Sequence, residues 1–257
     1  DSSSFWVARS PNSNNLTARG NVNATHTVPV KVAIHDPSMI FGNTLAYALQ
    51  SEGISVNRIQ RVGEFAPPSK GDVLYVRTTP IHDALLRSNR DSHNLYAEVL
   101  LKRIAATATG RPGTFDEGAT VVEAAVSQRL ASSQRLLNAA DGSGMSRDNV
   151  VSPRTLASWL ASFDVHEPTG ELLLASLATP GAGTLKSRFG DFQLEGATVH
   201  AKSGYLRGVC SLSGYIVFES GRMPLVFSII VNDVKGTVKG AKKMQERIVF
   251  ASINEYR

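Results

Sequence analysis

Val209-Cys210-Ser211-Leu212-Ser213-Gly214-Tyr215-Ile216-Val217-Phe218, the turn Ser220-Gly221, and Leu225-Val226-Phe227-Ser228-Ile229-Ile230-Val231 form the stretch that decides the fold. Cys210, Leu212, Ile216 and Phe218 alternate onto one face. Leu225, Phe227, Ile229 and Val231 do the same on the next segment. A period of two on both sides of a turn marks paired antiparallel strands. Thr198 to Lys202 adds a preceding strand, so the region reads as an antiparallel meander. A helix from about Val238 to Glu255 follows, with Met244, Ile248 and Ala251 expected inward. Cys210 is the single cysteine, which excludes an internal disulfide, and its place in the apolar alternation predicts a buried, inert thiol.

Upstream of the meander the periodicity turns helical. Ser152 and Pro153 predict a cap and a first helical position for a helix that buries Leu156, Trp159, Leu160 and Phe163. Before it lies a Gly-rich loop, Asp141-Gly142-Ser143-Gly144-Met145-Ser146-Arg147-Asp148-Asn149, and a helical run from about Glu117 to Leu137. Leu95, Tyr96, Val99, Leu100 and Ile104 have helical spacing and predict a buried helix. A short helix is expected near Pro80, after a strand Val73 to Val76. Pro67-Pro68-Ser69-Lys70-Gly71 reads as a turn or boundary. Residues 1–36 read as strands and turns, notably Leu16 to Val22 and Thr27 to His35. A helix after Asp36-Pro37 carries Phe41, Leu45, Ala46 and Leu49 and ends at Gly53, with strand character resuming at Ile54 and Val56.

The 257 residues contain 42% hydrophobic and 19% charged residues, the composition of a globular protein able to bury a sizeable core. No apolar run reaches the about 18–20 residues of a membrane span, so no transmembrane segment is expected. Asp1-Ser2-Ser3-Ser4-Phe5-Trp6 shows neither a basic n-region nor an apolar h-region, and no initiator Met, so the expectation is a chain that starts after processing or inside a longer gene product. The net charge is +5. Its densest basic run, Lys235 to Lys243, lacks interleaved aromatics and phosphate-loop spacing; it reads as a solvated face, and no nucleic-acid partner is expected. The six histidines show no paired ligand spacing, so no metal and no other cofactor is expected.

Two short polar motifs remain. Ser92-His93-Asn94 opens a helical run, and Lys202-Ser203-Gly204 closes a strand-like run 110 residues later. Taken singly, each has an ordinary explanation. Ser and Asn before a helix serve as caps, and Lys before Gly at a strand end is common. Their order is more specific: helical S-x-N, Gly-rich loop, then K-[TS]-G on the first strand of a meander that ends in a helix. With the stretches Ser92 to Lys102, Asp141 to Asn149, Gly183-Thr184-Leu185 and Ala201 to Val209, this order resembles the penicillin-binding serine acyltransferases, and most closely the penicillin-binding protein 4 type of D-alanyl-D-alanine carboxypeptidase/endopeptidase, peptidase family S13. The resemblance covers the C-terminal part of such a protein. His93 stands where Asp is usual and Ser203 where Thr is usual. The nucleophile motif S-x-x-K is missing, because none of the nine lysines has a serine three residues before it.

The resemblance implies an α+β, β-lactamase/transpeptidase-like domain over residues 75–257, with residues 1–74 part of an inserted β-rich domain. It implies acyl transfer through a serine ester on peptidoglycan stem peptides, with β-lactams as further ligands and the missing N-terminal segment of the same protein as the source of the nucleophile. Ser92, Asn94 and Lys202 would be catalytic, and Ser203, Gly204, Tyr205 and Arg147 substrate-binding. No nucleophile is expected in this chain, so the chain alone would be inactive. The expected location is extracytoplasmic, periplasmic or associated with the cell envelope. Two other readings stay open: a non-catalytic peptidoglycan-peptide or protein-binding module that lost the nucleophile, and a β-lactamase, against which the Gly-rich loop and the context of the first motif weigh.

Overall fold

The computed structural model describes residues 4–25, 29–30, 32–61, 72, 75–132 and 136–256. Two compact units divide the chain, Asp1–Val76 and Arg77–Arg257. In the first, strands β1 (Ser4–Arg9) and β2 (Leu16–Asn21) pair antiparallel, with Trp6 opposite Arg19. Helix α1 (Pro37–Ser51) starts where the Asp36 side chain accepts from the Met39 N–H at 3.1 Å, and Pro37 takes the first turn. Of its apolar positions Phe41, Leu45, Ala46 and Leu49 only Ala46 is buried; Phe41 is 69% exposed.

Three expected strands do not form among the described residues. Positions 29–30 and 32–35 are in no strand, while 27, 28 and 31 lie outside the described residues. The Asn14 amide accepts from the His35 N–H at 2.6 Å and donates to its carbonyl at 2.9 Å, occupying the groups a ladder would need. Ile54 donates its N–H back to Leu49 at 2.9 Å, closing the end of α1 instead of starting a strand, and Val56 follows in an irregular segment. Tyr75 and Val76 are exposed and irregular; Val73 and Leu74, like the Pro67 to Gly71 boundary, lie outside the described residues.

The second unit begins with helices α2 (Ile81–Asn89), α3 (Asn94–Thr109) and α4 (Phe115–Arg129). A reciprocal capping box between Thr114 and Glu117 starts α4. This helix ends well before Leu137, because Leu130 turns to an extended conformation and buries. Strand β3 (Leu137–Asn138) then pairs with β4 (Val150–Val151), bracketing the Gly-rich loop. Helix α5 (Pro153–Ala161) carries the expected cap, Ser152 Oγ accepting from the Thr155 N–H at 3.0 Å. Helix α6 (Pro168–Ser176), which the sequence reading passed over, begins with the proline signal that could have marked it.

Strands β5 (Ala197–Leu206), β6 (Val209–Phe218) and β7 (Leu225–Val231) form an antiparallel sheet in sequence order. Lys202 stands opposite Ser213, and Leu212 opposite Ile229. Strand β5 runs past Lys202-Ser203-Gly204, so the motif lies within the strand, not at its end. One sheet face carries Val199, Leu212, Ile216 and Phe218 into a core with Val249 and Ile253 of helix α7 (Lys239–Tyr256). Burying each such aliphatic side chain contributes about 1.5–3 kcal/mol. On the other face Tyr215 packs with Val165 and Leu177, and its hydroxyl donates to the Leu160 carbonyl at 2.8 Å. The sheet is thereby covered by α7 on one side and by α5 and α6 on the other, the helix-on-sheet layering of an α+β domain.

Helices α3 and α7 bury other faces than the apolar spacing predicted. On α7, Gln245, Glu246, Val249 and Ile253 are buried, while Met244 and Ile248 are 43% and 44% exposed and Ala251 is exposed. Arg188 determines this phase: its guanidinium donates to Glu246 at 2.8 Å, to Gln245 at 3.1 Å and to the Lys242 carbonyl at 3.0 Å. On α3, Leu101 and Ala105 are buried against α4, Tyr96 and Leu100 are half-buried, and Leu95, Val99 and Ile104 are exposed. The expected core residues of α5, Leu156, Trp159, Leu160 and Phe163, are half-buried for a different reason in three cases: Leu156, Trp159 and Leu160 face a cavity.

Candidate active site

Ser92 lies in the connection between α2 and α3, with its backbone in the left-handed region at φ 53°. A non-glycine residue there is held by its surroundings. Those surroundings are explicit. His93 donates its N–H to the Arg87 carbonyl at 3.0 Å, and Asp91 to that of Leu86 at 3.3 Å. Arg87 and Arg90 both bond the Asp91 carboxylate, at 3.0 and 3.1 Å. The Asp91 pKa is lowered: burial acts against the charge, but the two arginines outweigh it. Thr184 donates its N–H to the Arg90 carbonyl at 3.1 Å, so the segment Gly183 to Leu185 backs the turn.

The capping explanation for Ser92 and Asn94 does not describe the geometry. The residue at the helix N-cap is His93, and no side chain caps there. The His93 ring stacks edge-on against Tyr96. Ser92 and Asn94 instead line a cavity of about 510 Å³, together with Lys202, Ser203, Gly204, Tyr205 and Arg147.

Lys202 crosses this cavity. Its Nζ donates to Ser92 Oγ at 2.8 Å and to the Ser203 carbonyl at 2.6 Å, closing a sequence separation of 110 residues. Burial alone lowers its pKa from 10.5 to about 8. The amine is therefore charged at neutral pH but gives up its proton far more readily than a surface lysine. Gly204 passes close to Ser211: a Cβ there would sit 2.4 Å from Ser211 Oγ and would turn that hydroxyl aside. Tyr205 is 60% exposed at the rim. Arg147 Nη2 donates to the Arg207 carbonyl at 2.8 Å, tying the Gly-rich loop to the turn after β5.

The motifs therefore account for one side of the cavity. The apolar part of the lining comes from Leu156, Trp159, Leu160, Leu177, Val209 and Ile230, of which only Val209 lies in a stretch that carried the resemblance. Two lining residues beyond the motifs were legible: Ser213 and Ile230 follow from the strand alternation once Lys202 is placed, because cross-strand partners share a face. The α5 residues needed the tertiary fold. Among the described residues no group of acidic, histidine and cysteine side chains is arranged to hold a metal, and no helix is long and apolar enough to cross a membrane.

An α+β domain with a Ser–Lys pair spanning a strand edge and a helix N-terminus defines a class, the serine acyltransferase-like folds, and the comparisons specify it further. The D-Ala-D-Ala carboxypeptidase 3 (S13) family matches residues 3–252, and the chain belongs to that family. It is similar to a D-alanyl-D-alanine carboxypeptidase of Actinomadura sp. (strain R39), with 33% identity over 212 residues, 79% of this chain and 38% of that protein. It is also similar to the D-alanyl-D-alanine carboxypeptidase DacB of Haemophilus influenzae, 28% identical over 197 residues, 74% of this chain and 41% of that protein. In fold it is similar to the crystal structure of penicillin binding protein 4 (dacB) from Haemophilus influenzae complexed with a β-lactam, at a TM-score of 0.70 and 23% identity, covering 98% of this chain and 59% of that one. The chain thus spans about two fifths of the length of these curated relatives.

Proposed function

We propose that the chain contributes the second and third motifs of a serine-type D-Ala-D-Ala carboxypeptidase/endopeptidase acting on peptidoglycan stem peptides, and that β-lactams occupy the same cleft. The observation that carries this reading is the 2.8 Å contact from a desolvated Lys202 to Ser92 inside a cavity shared with Asn94 and Ser203. Because Lys202 donates to Ser92 Oγ, the Ser92 hydroxyl proton is free to point at a departing amine. Ser92 hands that proton on and is refilled from Lys202, whose pKa near 8 makes the transfer easy. General acid transfer of this kind contributes about 10²–10⁴ in rate. Asn94 donates to the substrate backbone, while the Lys202 charge and the Ser203 hydroxyl receive the terminal carboxylate. The Tyr205 N–H supplies half of the oxyanion hole, and Arg147 receives a carboxylate on the peptide side chain.

The nucleophilic serine and its lysine base come from a segment of the protein outside these 257 residues, and its N–H completes the oxyanion hole. That serine attacks the carbonyl of the penultimate D-Ala, expels the terminal residue, and forms an ester that water hydrolyses. The chain by itself is inactive, and the whole protein works outside the cytoplasm, where peptidoglycan is.

Labelling with a fluorescent penicillin followed by a denaturing gel tests this. The 257-residue chain alone should give no covalent band. A longer polypeptide that includes the upstream S-x-x-K segment should be labelled, and Lys202→Ala should abolish most of that label. A band on the short chain would mean that a serine within it, Ser92 first among them, is a nucleophile. No band on either would leave a binding module.

A further inference from the structure

Two of the stretches that carry the family resemblance, Ser92 to Lys102 and Asp141 to Asn149, are joined by one side chain to which the proposed chemistry gives no role. Glu98 stands one helical turn after Asn94 on α3. Its two carboxylate oxygens accept the backbone N–H groups of Gly142 at 2.9 Å and Ser143 at 3.2 Å, across more than forty residues of sequence. The loop lies so close to α3 that a Cβ on Gly142 would sit 2.3 Å from the Ala97 carbonyl oxygen.

The internal shape of the loop has a separate cause. Asp141 accepts the N–H groups of Gly144 and Ser146, both at 2.6 Å, and the Asn149 amide at 3.0 Å. Asn149 in turn accepts from the Ala140 N–H at 2.9 Å. Asp141 therefore shapes the loop, and Glu98 fixes where the shaped loop stands. From Ser143 to Arg147, and again at Asn149, the loop lines the cavity, and Arg147 bonds the Arg207 carbonyl next to β5. A closed ring of contacts results: α3, Glu98, the loop, Arg147, the β5–β6 turn, Lys202, and back to Ser92 in the connection that leads into α3. Glu98 itself does not line the cavity, so it acts through the loop.

We infer that Glu98 is a positioning residue that sets the loop wall of the cleft relative to Asn94, and so controls the fit of the peptide beyond the scissile bond, leaving the Ser92–Lys202 pair unaffected. The functional half of this inference rests on the carboxypeptidase reading above; the structural half does not. Charge-assisted bonds to backbone N–H groups are stronger than neutral ones, and Gln retains the shape of Glu but only one acceptor oxygen. The inference therefore predicts a graded effect.

Amide hydrogen exchange by NMR on the 257-residue chain tests it, with Glu98→Ala and Glu98→Gln. In Glu98→Ala, exchange at Gly142 and Ser143 should rise by about tenfold or more. In Glu98→Gln it should rise by an intermediate factor. The Lys202 amine should keep its midpoint near 8 in both. Gln behaving as wild type would contradict the graded effect by showing that one neutral acceptor oxygen suffices, and unchanged exchange in both variants would remove the anchoring role of Glu98. A Lys202 shift that accompanied the loop change would show that the whole cavity moves as one, contradicting a role confined to the loop wall. These readouts do not depend on acylation, so they stand even if the carboxypeptidase reading fails. In a longer, acylating polypeptide, Glu98→Gln should raise KM for a stem peptide about tenfold with kcat within about twofold. A fall in kcat at unchanged KM would contradict positioning.

Discussion

The sheet and helix α7 are two sides of one core, and they reach burial by different chemistry. The sheet side is hydrocarbon: Val199, Leu212 and Ile216 are at most 1% exposed and need no partner beyond shape. The helix side mixes Val249 and Ile253 with Gln245 and Glu246, whose polar groups are satisfied by Arg188 and by Cys210. A buried apolar face tolerates loss in proportion to the volume removed. A buried ion pair does not, because removing one partner strands a charge.

The most damaging single change should therefore be polar. Glu246→Ala leaves Arg188, 5% exposed at its side chain, without its anion, and should cost about 3–5 kcal/mol in urea unfolding. Replacing both partners by apolar residues of similar size should recover most of that loss. If Glu246→Ala cost less than about 1 kcal/mol, the contrast between the two sides would collapse.

On the sheet side, Leu212→Ala should cost about 2–5 kcal/mol, the transfer loss plus the cavity left behind. The Met244 and Ile248 stripe on α7 supplies the control. These side chains are apolar but about two-fifths exposed, so Ile248→Ala should stay within about 1 kcal/mol. An Ile248→Ala effect as large as that of Leu212→Ala would mean that the stripe is covered.

One further effect is a slope in pH rather than a change at one pH. Lys202 has its folded pKa lowered by burial, from 10.5 to about 8. The unfolded chain therefore binds more protons between those values, and stability rises with pH across that window. Below 8 the cost of burying the charge is fully present, and above 10.5 it is gone. Lys202→Met should flatten this part of the profile, measured by denaturant midpoints at several pH values.

The same contrast explains what the sequence disclosed. The strands were read in the correct phase because a period of two offers only two choices, and Cys210, Leu212, Ile216 and Phe218 select one of them. Helices offer more. On α7 the apolar spacing pointed to Met244, Ile248 and Ala251, but the buried face is chosen by Arg188, which lies 58 residues before Glu246 and shares no local pattern with it. On α3 the residues with helical spacing include Leu95 and Val99, which are exposed, while small Ala105 is fully buried against α4. At the site, Ser92 and Lys202 were legible because their chemistry is written in short motifs. The left-handed backbone of Ser92, the wall of Leu156 and Trp159, and the grip of Glu98 on Gly142 arise only when distant segments meet.

The proposed function requires a Lys202 amine whose burial lowers its pKa while it is hydrogen-bonded to the exposed Ser92 hydroxyl. A titration of the Lys202 side-chain amine by NMR, in the wild-type chain and with Lys202→Arg to assign the signal, tests it most directly. A midpoint near 8, well below the ordinary lysine value, is expected. A midpoint above about 10, in the ordinary lysine range, would contradict it.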